Sequence, residues 1–552
     1  MLPKLQYNRH TLTAIIILAV TYIIYSFTAQ YIINNSRTWL DEVTYLIKSF
    51  NYVSGATQPY SDQDPTWYMP IYFYELGVWQ YLFGKEISTA RLLSTLIGAA
   101  SGLVLYDVVR RITGNSVAAA LSTLVFLTNP SINFYFSTAI PASSVSFFLI
   151  TAVWLIVTVN ENPKGVTSLV FGCVLAIMYF YRQNMILATI ALLPIYLLKI
   201  KKNHCQELAK IVLGSIVVII ITLLLFPDRL FVYAARLPLI TPILAEVGLG
   251  SNSLHIIENG TTSALNLSIP ISRISLLDIL DGFILPYSGL LLAVICSIYL
   301  SKNKLKVLRV IPAVFLFLSF THYIGSLGYC PTCILPYTSY YAVIAVICFG
   351  VCIAILSQKN KSDPIKKFII ILSLTISVIT MNYTLTGLAS RTEYKFYPIA
   401  MFKNERPISE EAETIQLASF IKKYTDPNDT ILPIHNLVTI PYAIFLAERN
   451  FPTQGINLRH SYRTIKNNLS TVEKERVVHA LQSEGLWSDE VLEVWLTKNY
   501  NTIIFQRDPR SPSGKLQKRI ERDFVRSATT GFRGYNVHIY RRLHNPDHNI
   551  IK

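Results

Sequence analysis

The stretch "TLTAIIILAVTYIIYSFTAQYIINNSRTWLDEVTYLIKSF", residues 11–50, decides the fold. Residues 11–33 are apolar for about the 20 residues that a helix needs to cross a bilayer. No small-residue cleavage site follows, so the segment reads as a retained first helix and not as a removed signal peptide. Two adjacent carboxylates, Asp41 and Glu42, come directly after it. Acids at the edge of a bilayer are either a solvated helix cap or reacting groups.

The rest of the chain extends the membrane reading. Of 552 residues 52% are hydrophobic and only 15% charged, where a soluble chain carries about 25% charged residues. The apolar residues fall in long runs, so the fold class is a polytopic α-helical membrane protein. The net charge is +16. The positive residues sit in short loops such as "KIKKNHCQELAK", "SKNKLKVLR" and "SQKNKSDPIKK", where they set topology and need no anionic partner. No recognition motif accompanies the charge, which argues against nucleic acid as a partner.

About eleven spans are predicted from the length requirement. They fall near 11–33, 91–110, 115–131, 143–160, 166–181, 185–200, 210–226, 279–300, 309–328, 335–356 and 367–388. Alternate loops hold Arg110 and Arg111, Lys199 to Lys202, Lys302 to Arg309, and Lys359 to Lys367. The positive-inside rule then puts the N-terminus in the cytoplasm and the C-terminus outside. Asp41 and Glu42 face the outer side. Residues 1–388 form the membrane domain. Within it, 34–90 and 227–278 are large outer loops.

The first outer loop carries two juxtamembrane segments. In "DEVTYLIKSFNYV", Val43, Leu46, Ile47 and Phe50 recur at helical spacing, as in an amphipathic helix lying along the interface. "PIYFYELGVWQYLFG" is too short and too aromatic for a span. Residues 389–552 alternate helix-like and strand-like pieces and are expected to form an extracytoplasmic α/β domain. Helices are predicted at "ISEEAETIQLASFIKKYT", with Ser409 as N-cap, and near 472–499 and 511–526. Strands are predicted at "TILPI", "NTIIFQ" and "YNVHIYRR". The tail contains no G-x-G-x-x-G, Walker motif or HExxH.

Asp41 is the first candidate for chemistry. A carboxylate between lipid and water has a raised pKa unless a cation or hydrogen bonds offset it, which suits a general base. Local sequence alone leaves an N-cap equally open. "SDQD", with Asp62 and Asp64, could supply oxygen ligands to a divalent cation, although a solvated polar turn is the plainer reading. Cys330 and Cys333 form a lone CxxC, on the outer side in this topology, where a local disulfide is allowed.

The order "TWLDEVTYLIKSF", "PIYFYELGVWQYLFG", "STARLLSTLIGAASGLVLYDVVRRITG" and "TNPSINFYFSTAIPASSVSFF" resembles the GT-C glycosyltransferase superfamily. It is most similar to the branch of protein O-mannosyltransferases and lipid A aminoarabinose transferases. The resemblance covers residues 10–200 best. It implies transfer of a sugar from a polyprenyl phosphate carrier to a lipid, glycan or protein acceptor, with inversion, at the outer face of a bacterial inner membrane. By analogy Asp41 is the general base, with Glu42 beside it. Arg182, Arg91 and Lys85 are candidates for the donor phosphate, because guanidinium and ammonium groups bind phosphate. Relatives carry an acid in the "IPASSVSFF" stretch where this chain has Ala142. They carry an arginine near the last spans where this chain has "CPTCILP". His322 and Tyr323 are substitute contacts, and Arg236 and Arg273 are further cations. No cofactor is implied beyond an optional divalent cation. A transporter or flippase of lipid-linked sugars is the alternative, but no paired repeat with broken helices is visible.

Overall fold

The structure is a computed structural model of the chain. It describes residues 9–36, 38, 40–56, 70–159, 165–182, 185–200, 203–225, 334–357, 371, 410–435, 439–449, 451, 456–457, 500–507, 513–532 and 534–543. The chain divides into two compact units. One contains residues 1–33, 52–79 and 88–405, and the other 34–51, 80–87 and 406–552.

The helices run in order α1 Arg9–Asn35, α2 Leu40–Ser54, α3 Pro70–Phe83, α4 Ile87–Thr113, α5 Ser116–Thr128, α6 Pro130–Phe136 and α7 Ala142–Thr158. Then follow α8 Gly165–Tyr181, α9 Ile186–Lys199, α10 His204–Leu225 and α11 Ile334–Leu356. Residues 10–34, 87–113 and 204–222 are long and apolar enough to cross a membrane. The spans expected at 115–131, 143–160, 166–181, 185–200 and 335–356 coincide with shorter apolar helices. Those expected at 279–300, 309–328 and 367–388 lie outside the described residues. The stretch 130–136, read from sequence as part of a loop, is the short helix α6.

In the first unit, helices pack where small residues let them. A Cβ on Gly172 of α8 would collide with the Ile211 carbonyl oxygen of α10, and one on Gly214 with that of Leu169. This close approach is the usual device of helices packing in lipid, where apolar burial between helices drives little. The Ser215 hydroxyl donates to the Gly172 carbonyl at 3.0 Å across the same seam. The opposite face of α10 leaves Val212, Leu213, Ile216 and Ile220 exposed, as a lipid-facing surface would. At the end of α4, Asp107 accepts from Arg110 at 2.7 Å, from Arg111 at 2.5 Å and from Trp154 Nε1 at 2.8 Å. The basic pair is thus partly neutralised by an acid one turn earlier. Asn115 then caps α5, its side-chain oxygen accepting from the Val117 and Ala118 amides.

The second unit is a mixed sheet between two apolar layers. Its further elements are α12 Glu410–Tyr424, β1 Ile431–His435, α13 Thr439–Leu446, β2 Ile456–Asn457, β3 Thr502–Arg507, α14 Ser513–Asp523, β4 Phe524–Phe532 and β5 Tyr535–Arg542. The strand order is β2-β1-β3-β5-β4; β1 pairs parallel with β2 and β3, and β5 pairs antiparallel with β3 and β4. Strand alternation sends Ile431, Ile504, Val537 and Ile539 to one face, against Leu417 and Ile421 of α12 and Ile440 and Ile444 of α13. Leu432, Ile434, Ile503, Phe505 and Tyr540 face the other side, with Ile520 and Phe524.

Two differences from the sequence expectation stand out in this unit. The helix expected over 511–526 ends at Asp523, and the chain turns directly into β4. α2 buries more than its apolar stripe. Val43, Leu46 and Ile47 of the stripe expected along the interface are buried within the protein, and so are Glu42, Lys48 and Ser49. The region expected as a helix over 472–499, and Ser409, lie outside the described residues.

Candidate active site

The first unit gathers a polar cluster from three helices. α3 is anchored by Ile71 and Tyr74, which pack against Ala176 and Phe180 of α8 and Val218 of α10. The next residue, Glu75, is the one ionisable carboxylate in "PIYFYELGVWQYLF". Its Oε2 accepts from the Ser144 hydroxyl at 2.8 Å. Tyr181, the last residue of α8, also hydrogen-bonds the Glu75 carboxyl. Burial pushes that carboxyl up to about 7, against the pull of both hydroxyl donors. α3 is not among the helices long and apolar enough to cross a membrane.

Ser144 stands in the first turn of α7, which begins at Ala142. Pro141 precedes it and makes no side-chain cap hydrogen bond. A carboxyl therefore meets this helix N-terminus from α3, and not from the Ala142 position. A negative charge there is favoured by the helix dipole. Ser143 and Ser146 are fully buried, and neither hydroxyl has a hydrogen-bond partner among the described residues. Arg182 follows Tyr181 directly; its backbone amide closes α8 by donating to the Met178 carbonyl at 3.0 Å.

The other sequence candidates fall as follows. Asp41 and Glu42 are the second and third residues of α2, and Glu42 is buried. Arg91 is buried in α4 and donates from Nη1 to the Ile33 carbonyl at 3.0 Å, near the C-terminal end of α1. It joins two helices of the first unit. Lys85, in the second unit, lies 3.5 Å from Glu448 and 4.3 Å from the centre of the Phe50 ring. Phe50 meets Phe445 edge to face at 5.5 Å, and the Ile87 amide donates to the Tyr442 hydroxyl at 2.7 Å. The turn that presents Lys85 depends on Gly84, whose φ of +113° suits a residue without Cβ. Asp62, Asp64, Arg236, Arg273, His322, Tyr323, Cys330 and Cys333 lie outside the described residues. Among the described residues no three His, Cys, Asp or Glu side chains gather as a metal site.

A family profile described as dolichyl-phosphate-mannose-protein mannosyltransferase matches residues 64–226. That stretch contains Glu75, Ser144 and Arg182 and begins after Asp41. Among solved structures, ArnT from Cupriavidus metallidurans bound to undecaprenyl phosphate superposes with a TM-score of 0.55. The match covers 96% of this chain and 98% of that one at 11% identity. The chain therefore shares the fold of ArnT. The apo form of the same ArnT matches with a TM-score of 0.50 over 95% of this chain and 97% of that one, at 12% identity. No curated protein sequence matches the chain. Glu75 is the buried carboxyl that sequence reasoning passed over. The signal was present, because a lone acid in an apolar, aromatic helix beside the membrane is costly unless it has a task.

Proposed function

We propose that the chain transfers a sugar from a polyprenyl-phosphate carrier to an acceptor hydroxyl at the outer face of the membrane. The observation that carries this reading is the profile match over residues 64–226, whose description names a lipid-phosphate-linked sugar donor. The full-length GT-C likeness supports the architecture.

Asp41 is the general base in this reading. Its carboxylate takes the proton of the acceptor hydroxyl as the oxygen attacks the anomeric carbon. The bond from that carbon to the phosphate oxygen breaks, and polyprenyl phosphate leaves with the electron pair. Attack opposite the leaving group inverts the anomeric centre. Arg182 is the preferred cation for the phosphate, since it sits at the end of α8 beside the polar cluster.

The test is reconstitution of the purified full chain in proteoliposomes with radiolabelled polyprenyl-phosphate sugars and a membrane extract as acceptor source. Appearance of polyprenyl phosphate together with labelled acceptor supports the transferase. Movement of label across the bilayer without transfer would favour the flippase.

A further inference from the structure

We infer that Glu75, with the serine hydroxyls at the head of α7, forms a binding site for a hydroxyl of a glycosyl group. The inference deepens the transferase reading and rests on it. Four observations within the first unit converge. Glu75 is aimed at the first turn of α7, where Ser144 donates to it. Tyr181 holds the same carboxyl from α8. Ser143 and Ser146 are buried hydroxyls of the same two turns without a partner among the described residues. No side chain caps the helix start.

The chemistry of these groups points to a polyol. A carboxylate offers about four lone-pair sites, and Ser144 and Tyr181 take two. The remaining sites accept from further O–H groups, and the serine hydroxyls both donate and accept. A buried hydroxyl left without a partner is costly, so these groups suit a ligand that brings several hydroxyls. A phosphate is a poor occupant, because it would meet the carboxylate with like charge. A purely structural hydrogen-bond acceptor at position 75 would be served by Gln, which buries no ionisable group. The hydroxyl can come from the donor sugar or from a glycan acceptor.

The experiment compares wild type with Glu75→Gln, Glu75→Asp and Ser144→Ala in the proteoliposome assay, varying donor and acceptor separately. Gln keeps the size and an acceptor oxygen for Ser144 and Tyr181, and loses the charge. The expected result is an about tenfold to hundredfold lower kcat/KM for Glu75→Gln, the range of a lost hydrogen bond to a charged group. Asp should recover part of it, and Ser144→Ala should fall between. A raised KM confined to donor identifies the donor sugar as the source, and one confined to acceptor identifies the acceptor. Unchanged constants for both substrates in Glu75→Gln overturn the site and leave the transferase reading intact. Equal losses in Glu75→Gln and Glu75→Asp that follow the folded fraction, measured by gel filtration, also overturn it. A wild type that transfers nothing overturns the transferase reading and this site with it.

Discussion

The hydroxyl of Ser144 donates to Oε2 of Glu75 at 2.8 Å, tying α3 to the head of α7. Desolvation holds this carboxyl near 7 against two hydrogen bonds that favour its charged form. The protonation state of one side chain therefore changes within the physiological range.

The first prediction concerns stability against pH. Glu75 has a folded-state pKa of about 7, above its ordinary value of 4.5. The folded chain then binds a proton that the unfolded chain has lost. This contribution is fully present below the ordinary value and disappears as pH rises through about 7. The unfolding temperature of the detergent-solubilised chain, followed by tryptophan fluorescence, should fall by a few degrees between about pH 4.5 and pH 7. Glu75→Gln should flatten that part of the profile. An identical slope in the variant would contradict the assignment.

Helix packing gives the second prediction. Gly172→Ala puts a methyl group against the Ile211 backbone carbonyl, which can move only with its helix. Overpacking of this kind costs about 1–3 kcal/mol. Gly531→Ala in β4 is the control, since a Cβ there meets nothing within 4 Å. The folded fraction on gel filtration should drop for Gly172→Ala and stay unchanged for Gly531→Ala.

Arg91 separates two roles. As a buried joint between α4 and the Ile33 carbonyl, its replacement by Met should destabilise the fold by about 1–3 kcal/mol. If it held the donor phosphate instead, Arg91→Met would raise the donor KM without changing the melting temperature. Both quantities measured on one preparation decide between them.

Lys85 and Glu448 form a surface pair, the side chains 27% and 58% exposed. Such a pair contributes about 0–1 kcal/mol and weakens with salt. A double-mutant cycle with Lys85→Met and Glu448→Gln should give a coupling in that range that shrinks at high ionic strength. The neighbouring lysines Lys85 and Lys422 hold the Glu448 carboxyl below its ordinary value. The contribution of this pair is therefore lost as pH falls through the lowered value.

Much of this fold was legible from hydrophobic runs alone, because a span has to satisfy its backbone internally and must be long and apolar. The strands at 431–435, 502–507 and 535–542 also matched their β-branched patterns. β4 was hidden because "FVRSATTGF" buries only its two end residues, Phe524 and Phe532, and most of the residues between them are small, polar or charged. It is a strand because β5 pairs with it along its length, a tertiary effect that overrides local preference. Glu75 was hidden for a similar reason. Its partner Ser144 lies 69 residues away, and no local window joins them. The burial of Glu42 and Lys48 in α2 was not legible, because a helical stripe reports apolar positions and not which charges the fold will cover.

The central claim turns on Asp41, in the first turn of α2. The most direct measurement is release of polyprenyl phosphate from a radiolabelled polyprenyl-phosphate sugar by wild type and by Asp41→Asn, at matched folded fractions. The account predicts release by the wild type, and a loss in Asp41→Asn of at least about a hundredfold, the usual contribution of a general base. Equal turnover by the two proteins would contradict it.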